Sequence, residues 1–292
     1  MSLTAETRLP TWLRRPAPHG EGVHRVQRAL GRWRLHTVCH SASCPNRHEC
    51  FSQGKLTFMI LGNICTRNCA FCGVARGKPA PPDPTEPERI AAAARELGLS
   101  YVVVTSVTRD DLPDGGSAQF AETIRALKEL GAIEGVEVLI PDFKGSPSSL
   151  NKVVQAHPTV LNHNLETVPR LYPEIRPQAN YRRSLELLGR AKSSAQGLLT
   201  KSGLMLGLGE REEEVVAVLE DLRQVGCDFV TLGQYLRPSL GHHPVVRYLT
   251  PEEFSHYQDL GQRMGFRGVA SGPLVRSSFS AEGLWKSTRV KT

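Results

Sequence analysis

From residue 56 onward, short runs of apolar and β-branched residues alternate with longer amphipathic segments. This alternation is typical of repeated βα units around a parallel sheet. The predicted strands span residues 56–61, 101–107, 136–141, 159–164, 204–208, 229–235 and 268–271. The predicted helices span residues 86–97, 117–130, 148–156, 181–193, 210–225 and 251–264. Six units and a last short strand are too few for a closed eightfold barrel, so the pattern predicts an open, partial TIM-like (βα)6 barrel of the α/β class.

The barrel pattern leaves an extension at each end of the chain. We therefore predict an amino-terminal extension over residues 1–55, a barrel over residues 56–272 and a carboxyl-terminal extension over residues 273–292. Right-handed crossovers place the carboxyl ends of parallel strands at one face, where barrel enzymes collect their active sites. Polar residues follow the predicted strands at this face, at positions 105–106, 141–142, 162–166, 207–210 and 234–235.

The composition narrows the class of protein. Of the 292 residues, 40% are hydrophobic and 22% are charged, which excludes an intrinsically disordered chain. No apolar run approaches the roughly 18 to 20 residues of a membrane span. The first twenty residues carry arginines and prolines instead of the apolar core of a secretory signal. We therefore expect a cytoplasmic protein that does not enter a membrane.

Six of the seven cysteines lie between positions 39 and 72, in two groups of three. A secreted disulfide scaffold would be shorter and would spread its cysteines, so the clustering favours metal binding in a reducing compartment. The downstream trio, Cys65, Cys69 and Cys72, follows the first predicted strand and so lies at the barrel mouth. Three thiolates are one short of a zinc site, whereas a cubane iron–sulfur cluster held by three cysteines keeps one iron open for a small molecule. A structural zinc knuckle stays open as the alternative.

The spacing of the downstream trio, with Phe71 before its last cysteine, resembles the radical S-adenosylmethionine (SAM) superfamily. The upstream trio, Cys39, Cys44 and Cys50, precedes the barrel with gaps of four and five residues. Both trios together resemble the lipoyl synthase family, and the resemblance runs from about residue 10 to residue 281. The other segments that carry it are residues 58–62, 105–116, 162–167 and 203–210.

The resemblance implies an enzyme that inserts two sulfur atoms at carbons 6 and 8 of a protein-bound octanoyl group, in lipoate biosynthesis. It implies two [4Fe–4S] clusters, one on the downstream trio that cleaves SAM and an auxiliary one on the upstream trio that donates sulfur. The implied partners are octanoylated lipoyl-carrier domains, namely E2 subunits of 2-oxoacid dehydrogenases and the glycine cleavage H protein. The resemblance also implies two further kinds of partner: an electron donor such as ferredoxin or flavodoxin, and cluster-repair proteins.

The carboxyl-terminal sequence Arg-Ser-Ser-Phe at positions 276–279 resembles the family's Arg-Ser-Ser-Tyr motif. By this resemblance Ser277 is the fourth ligand of the auxiliary cluster. Its oxygen is a hard donor, so iron in a sulfur-rich setting should lose it more easily than a thiolate. Phe279 departs from the family's tyrosine. Asn63 and Gly73 stand where the family more often has aspartates, so contacts from those two carboxylates are not assumed.

Side chains at the predicted strand ends are candidates to bind SAM. Thr105, Ser106, Asn164 and Glu166 offer hydroxyl, amide and carboxylate groups, which suit the ammonium and ribose groups of SAM. Phe71, within the downstream trio, is the fifth candidate for cofactor binding.

Five further residues have competing interpretations. His163 is either a hydrogen-bonded core histidine or a ligand contact. His40 and His48 lie within the upstream trio and could bind metal, but three cysteines and a serine already fill that site, which favours a surface role. Cys227 stands alone and is predicted to be a buried core thiol. Arg276 could orient Ser277 or bind a substrate carbonyl.

The formal net charge of +7 is concentrated at the start of the chain. Residues 1–50 hold eight arginines, no lysine and three glutamates, a net +5. These arginines form either a solvated arm or a docking surface for an acidic carrier domain. A nearly neutral barrel with 6% aromatic residues argues against nucleic acid as a partner. A zinc-stabilised nucleic-acid-binding module and a biotin-type or methylthio-transferring sulfur inserter are the rival interpretations. The basic residues that would form the solvated arm or the docking surface are Arg8, Arg14, Arg15, Arg25, Arg28, Arg32 and Arg34.

Overall fold

The computed structural model describes residues 9–14 and 20–288 of the chain. Its strands are β1 (His36–Thr37), β2 (Thr57–Ile60), β3 (Ile64–Cys65), β4 (Ala75–Arg76), β5 (Tyr101–Ser106), β6 (Gly135–Leu139), β7 (Val160–Asn162), β8 (Leu199–Leu206), β9 (Phe229–Gln234) and β10 (Gly268–Gly272). Eight of these strands form one sheet in the order β1-β2-β5-β6-β7-β8-β9-β10, while β3 pairs with β4. All neighbours in the large sheet are parallel except β1, which lies antiparallel to β2.

Helices follow the strands in an alternating order. The α-helices are α1 (Glu21–Arg32), α2 (Val38–Ser41), α3 (Arg47–Ser52), α4 (Glu86–Leu97), α5 (Ser117–Lys128), α6 (Pro147–Val154), α7 (Tyr172–Ile175), α8 (Tyr181–Ser194), α9 (Glu212–Gln224), α10 (Pro251–Arg263) and α11 (Ala281–Lys286). Short 3-10 helices span Thr11–Leu13, Phe143–Gly145 and Pro169–Leu171. Among the described residues, no helix combines the length and hydrophobicity that a membrane span requires. The prediction of an open (βα)6 barrel is confirmed.

Local sequence explains where these elements begin and end. The first five residues of β5 are buried, as expected for a parallel strand covered on both faces. Helix α4 ends at Gly98, whose left-handed φ of 64° suits glycine at a helix C-cap. Helix α10 begins with a reciprocal capping box between Thr250 and Glu253, next to a proline in its first turn.

The predicted start of strand β8 is wrong by five residues. The strand begins at Leu199 rather than at position 204. Thr200, Lys201 and Ser202 have the polar composition of a loop, yet all three are buried. Lys201 is buried inside the barrel because its ammonium group pairs with Glu137 at 2.9 Å, and both side chains are 1% exposed.

The amino-terminal extension packs against the outside of the barrel. One face of α1 is buried, and its Gly22 lies so close to α3 that a Cβ there would stand 2.3 Å from the Ser52 carbonyl oxygen. Arg25 donates to the Leu97 carbonyl of α4, and Arg32 pairs with Glu96. These two arginines therefore serve the fold. Arg8 and Arg15 lie outside the described residues.

The carboxyl-terminal segment runs along the inside of the barrel. Alternate residues of a strand face the interior, and the segment contacts glycines at such positions. A Cβ at Gly233 would stand 2.0 Å from the Val275 carbonyl oxygen, and one at Gly203 would stand 3.1 Å from the Ser277 hydroxyl. Further along, Trp285 stacks on Tyr101 with ring centroids 5.2 Å apart. Trp285 belongs to α11, and Tyr101 is the first residue of β5. Helix α11 therefore covers the amino-terminal end of the barrel.

Candidate iron–sulfur and SAM site

A central cavity of about 500 Å³ opens at the carboxyl-terminal ends of the strands. All three cysteines of the downstream trio line it, together with Cys39 and Cys44 of the upstream trio and Ser277. A second cavity of about 400 Å³ is lined by the whole upstream trio and lies toward the amino-terminal ends of β2 and β5. Cys39 and Cys44 line both cavities, so the upstream trio stands between them. The fold thus places both cysteine groups around one central space.

A buried ionic network holds the loop of the downstream trio. Arg67, between the first two cysteines, donates to Asp110 at 2.7 and 2.9 Å and to Asp142 at 2.6 Å. Its backbone N–H also donates to the Cys65 sulfur at 3.4 Å. Arg183 reaches the other oxygen of Asp142 at 2.7 Å. Although burial opposes it, hydrogen bonding to Arg67 lowers the pKa of Asp142 far below its ordinary value. The network is therefore fully charged.

Backbone hydrogen bonds anchor the rest of this loop. The Ala70 N–H donates to the Ile175 carbonyl at 2.9 Å, and the Ala70 carbonyl accepts from the His243 N–H at 2.9 Å. The His242 ring lies 3.0 Å from the Cys72 carbonyl oxygen. Burial, and secondarily the neighbouring thiols, raise the pKa of Cys72 to about 12. A metal is therefore needed to hold these thiols as thiolates at neutral pH.

The upstream trio is carried by α2, α3 and the turn between them. The Thr37 hydroxyl caps α2 by accepting from the Cys39 N–H at 3.2 Å, and the Cys44 N–H donates to the Cys39 carbonyl at 3.1 Å. Burial, followed by the Cys39 and Cys44 thiols, raises the pKa of Cys50 to about 12. The Asn46 amide donates to the Leu274 carbonyl at 2.6 Å. This last bond fastens the trio to the carboxyl-terminal segment.

Ser277 lies in the central cavity with two members of the upstream trio. Its hydroxyl oxygen accepts a hydrogen bond from the Asn164 amide at 2.6 Å. The neighbouring Arg276 is close enough to Cys44 and Glu166 for both to favour its charged form, while burial lowers its pKa. The structure therefore places Arg276 and Ser277 in the same cavity wall as Cys39 and Cys44.

The predicted SAM contacts all line the central cavity, but some of their polar groups already have hydrogen-bond partners within the protein and others do not. Within the described part of the chain, the buried Ser106 hydroxyl and the Asn164 Oδ1 have no hydrogen-bond partner. The Thr105 hydroxyl already donates to the Leu139 carbonyl at 3.0 Å. Burial raises the pKa of Glu166, and Arg176 partly offsets this. Phe71 contributes its half-buried ring to the wall.

The remaining ambiguous residues have identifiable surroundings, although His163 also lines the central cavity. Both ring nitrogens of His163 are used, one with the Ile140 carbonyl at 2.8 Å and one with the Ser184 hydroxyl at 2.9 Å, so it is a core histidine. His40 is exposed and packs against the Phe51 ring, with centroids 5.5 Å apart. Cys227 is 0% exposed, which confirms the buried core thiol. The His48 ring lies 3.4 Å from the guanidinium group of the adjacent Arg47, within hydrogen-bonding distance.

The two positions that lack the family's aspartates are also resolved in the structure. Asn63 is exposed at the start of the cysteine loop. At Gly73, a Cβ would stand 3.2 Å from the Pro238 side chain and 3.6 Å from Ala42. An aspartate at position 73 would therefore require its neighbours to move.

Arg176, like Arg67, is a cavity residue that the sequence did not reveal. It follows α7, is 9% exposed, and donates to the Asn164 and Leu165 carbonyls at 2.9 Å each. Its Nε has no partner within residues 9–14 and 20–288. Neither periodicity nor a motif marks this position, since only the fold of the loop after β7 turns it inward.

The donor set fits iron–sulfur clusters. Among the described residues, no three His, Cys, Asp or Glu side chains converge on a point where one metal ion could bind. A cubane cluster needs a different arrangement, because each cysteine binds a different iron and the cysteine sulfurs stand farther apart than around a single metal ion. In each trio the last thiol lies close enough to the other two for them to add to the effect of burial on its pKa, so the three thiols are grouped beside a cavity as a cubane requires.

Comparison with known proteins decides the family. The model of the radical SAM superfamily matches residues 59–222. A lipoyl synthase of Caldanaerobacter subterraneus subsp. tengcongensis is 56% identical over 94% of this chain and 96% of its own length. A lipoyl synthase of Aquifex aeolicus is 54% identical over 91% of this chain and 97% of its own length. The chain belongs to the lipoyl synthase family of radical SAM enzymes.

Family membership confirms the predicted enzyme class and its cofactors, SAM and two [4Fe–4S] clusters. It also decides against zinc and against a nucleic-acid-binding module. Solved structures support the fold alone. The [FeFe]-hydrogenase maturase HydG gives a TM-score of 0.59 at 18% identity, covering 73% of this chain and 50% of its own. Methylornithine synthase gives 0.55 at 15% identity, covering 86% and 71%.

Proposed function

We propose that this lipoyl synthase family member inserts two sulfur atoms, at carbons 6 and 8, into an octanoyl group carried by a protein. The observation that carries the proposal is that both cysteine trios and Ser277 contribute to the wall of one central cavity. An unactivated C–H bond offers no acidic proton, so the reaction needs hydrogen-atom abstraction close to the sulfur donor. The shared cavity provides this proximity.

We assign the downstream trio, Cys65, Cys69 and Cys72, to the cluster that binds SAM. The upstream trio and Ser277 hold the auxiliary cluster. When bound, the first cluster with SAM supplies a 5'-deoxyadenosyl radical and the auxiliary cluster supplies sulfur. The chain's own residues orient these groups: the Arg67 network fixes one loop, and the Asn46 bond to Leu274 fixes the other. Because each SAM removes one hydrogen, two SAM molecules are used for each lipoyl group.

Ser277 differs from the cysteine ligands because an alcohol holds its proton far more tightly than a thiol, so its oxygen needs more support to bind iron as an anion. The Asn164 N–H donates to this oxygen and so supports its anionic form. An oxygen ligand in a sulfur-rich set is also easier to detach than a fourth thiolate. Ser277 would thus hold one iron of the auxiliary cluster by a detachable bond, and the cluster would supply the sulfur.

For SAM itself, we assign hydrogen bonding to Ser106, Asn164 and Glu166, with Thr105 as an acceptor and Phe71 as an apolar wall. The unpartnered Ser106 hydroxyl and Asn164 Oδ1 support the first two assignments. Arg176 adds a buried positive charge to the same cavity, where it favours the ionised form of Glu166 and suits the carboxylate of SAM.

The substrate is an octanoylated carrier protein. We propose E2 subunits and the glycine cleavage H protein as carriers, a ferredoxin or flavodoxin as the electron donor, and repair proteins that rebuild the consumed cluster. A cytoplasmic location is supported by seven free cysteines, of which six must stay reduced to bind iron. The three chain divisions at residues 1–55, 56–272 and 273–292 carry the auxiliary cysteines, the barrel and the serine ligand.

We also propose that the exposed Arg28 and Arg34 steer an acidic carrier domain. Added salt should then raise the KM for a carrier domain more than the KM for a short octanoyl-lysine peptide. The charge reversals Arg28→Glu and Arg34→Glu should remove most of this difference. Equal salt effects on the two substrates in the unmodified enzyme would contradict docking by charge.

The function is tested by anaerobic incubation of the reconstituted enzyme with SAM, a reductant and an octanoylated peptide. We expect 5'-deoxyadenosine and a dithiolated product, from a protein containing about eight irons and eight sulfides per chain. Absence of 5'-deoxyadenosine would refute the radical assignment. Its formation without a dithiolated product would refute the substrate.

The separate roles of the two trios need a second experiment. Ser277→Ala and Cys44→Ala should keep SAM cleavage and abolish sulfur insertion, whereas Cys69→Ala should abolish both. Loss of SAM cleavage in the first two variants, with retained folding, would show that the trios are assigned the wrong way round.

A further inference from the structure

The Asn164 side chain connects the two halves of the site. Its Nδ2 donates to the Ser277 hydroxyl oxygen at 2.6 Å and to Glu166 Oε1 at 3.0 Å. Asn164 is 6% exposed, and its backbone carbonyl accepts from the buried Arg176 guanidinium at 2.9 Å. One amide nitrogen therefore touches both the carboxyl-terminal motif and a proposed SAM contact.

The orientation of this amide determines what it offers Ser277. An amide nitrogen carries two hydrogens and no acceptor, so a single Nδ2 satisfies both oxygens, one with each hydrogen. Ser277 consequently accepts this bond, which fixes the direction in which its oxygen lies. The amide is thus turned so that one nitrogen holds both side chains in place.

The surrounding backbone leaves the amide little room to turn away. A Cβ at Gly203 would stand 3.0 Å from Asn164 Oδ1 and 3.1 Å from the Ser277 oxygen, so both side chains lie directly over this glycine. The Asn46 bond to the Leu274 carbonyl holds the chain just before Ser277. The close contact between Asn164 and Ser277 is therefore built into the packing of β8 and the carboxyl-terminal segment.

We propose that Asn164 is the positioning residue for Ser277: it holds the serine oxygen in the cavity that Cys39 and Cys44 also line, with the same amide that borders the SAM site. This inference rests on the proposed ligation by Ser277. Asn164 does not bind iron and acts on the auxiliary cluster only through the serine.

The test uses the full-length chain with Cys65, Cys69 and Cys72 changed to Ala, so that only the auxiliary cluster assembles. The chain is reconstituted with ⁵⁷Fe, and two properties are measured: the Mössbauer signature of the oxygen-bound iron and the rate of iron release to a chelator. Asn164→Asp keeps the shape but loses the donor, and Asn164→Ala introduces no new charge. Ser277→Ala is the reference for the lost ligand, and Ser106→Ala is the matched control at the SAM site.

We expect Asn164→Asp and Asn164→Ala to lose the oxygen-bound signature and to release iron about tenfold to a hundredfold faster, the range for loss of a hydrogen bond to an anionic oxygen. Ser106→Ala should match the parent. Parent behaviour in both Asn164 variants, together with a changed Ser277→Ala, would overturn the positioning role and leave the proposed function intact. A parent chain that binds no cluster, or a Ser277→Ala variant identical to it, would overturn the proposed ligation itself.

Discussion

Replacing Gly203 by alanine is a small change with a large expected effect. Its added Cβ would stand 2.6 Å from the Thr231 hydroxyl, 3.0 Å from Asn164 Oδ1 and 3.1 Å from the Ser277 hydroxyl. The first distance is too short for any real Cβ, and Thr231 is 2% exposed on β9, so it has little space to withdraw. Overpacking of this kind costs about 1 to 3 kcal/mol. Alanine recovers about 0.5 to 1 kcal/mol of chain entropy, which leaves a net loss of up to about 2.5 kcal/mol, with about 1 kcal/mol at the middle of the range.

The assay compares urea unfolding of the apo chains, followed by circular dichroism. Gly189→Ala is the matched control, because this glycine lies inside α8 and a Cβ there would stand 3.5 Å from Val225, an ordinary contact. We expect Gly189→Ala to gain about 0.5 to 1 kcal/mol in the free energy of unfolding. The two substitutions should therefore move stability in opposite directions.

In the reconstituted enzyme, Gly203→Ala should also displace Ser277 and speed the loss of iron from the auxiliary cluster, while Gly189→Ala leaves it unchanged. A Gly203→Ala chain as stable as the parent and with the parent's iron retention would refute this reasoning. It would mean that the carboxyl-terminal segment yields to the added methyl group and is not held tightly over β8.

Three further changes test other parts of the structure. Burial lowers the pKa of His163 to about 4. As the pH falls from about 6.5 to 4, the unfolded chain therefore binds more protons than the folded chain, and up to about 3 kcal/mol of folding stability is lost. His163→Gln should reduce this loss, measured by urea titration of the apo chain. Lys201→Met strands the buried Glu137 carboxylate and should cost about 3 to 5 kcal/mol, whereas adding Glu137→Gln should recover most of this in the same unfolding assay. Cys227→Ala should leave the iron and sulfide content at the parent's level, and a reduced content would contradict its role as a core thiol.

The barrel could be predicted from the sequence because buried parallel strands leave continuous apolar runs. The strand at Tyr101–Ser106 shows this well, since five of its six residues are buried. The start of β8 was missed for the opposite reason. Lys201 reads as a loop residue, and only Glu137 on another strand makes its burial possible. A stabilising partner far away in the chain leaves no local signal.

The same distinction separates the parts of the site. Cysteine spacing is local, so both trios could be found, and the strand-end rule located Ser106, Asn164 and Glu166. Arg67 was missed because its partners are 43 and 75 positions away, at the ends of other strands. Arg176 lies after a one-turn helix, and its inward direction is set by carbonyl groups that the fold brings to it.

The open barrel and the serine ligand depend on one another. A closed barrel fills its interior with bulky side chains, but here interior positions on β8 and β9 are Gly203 and Gly233, and the carboxyl-terminal segment occupies the space. That segment is held before Ser277 by the Asn46 bond to Leu274 and after it by the stacking of Trp285 at the far end of the barrel. Since the backbone is fixed on both sides, the proposed serine ligand would detach from iron by rotation of its own side chain. The fold would therefore allow a detachable ligand without moving the chain that carries it.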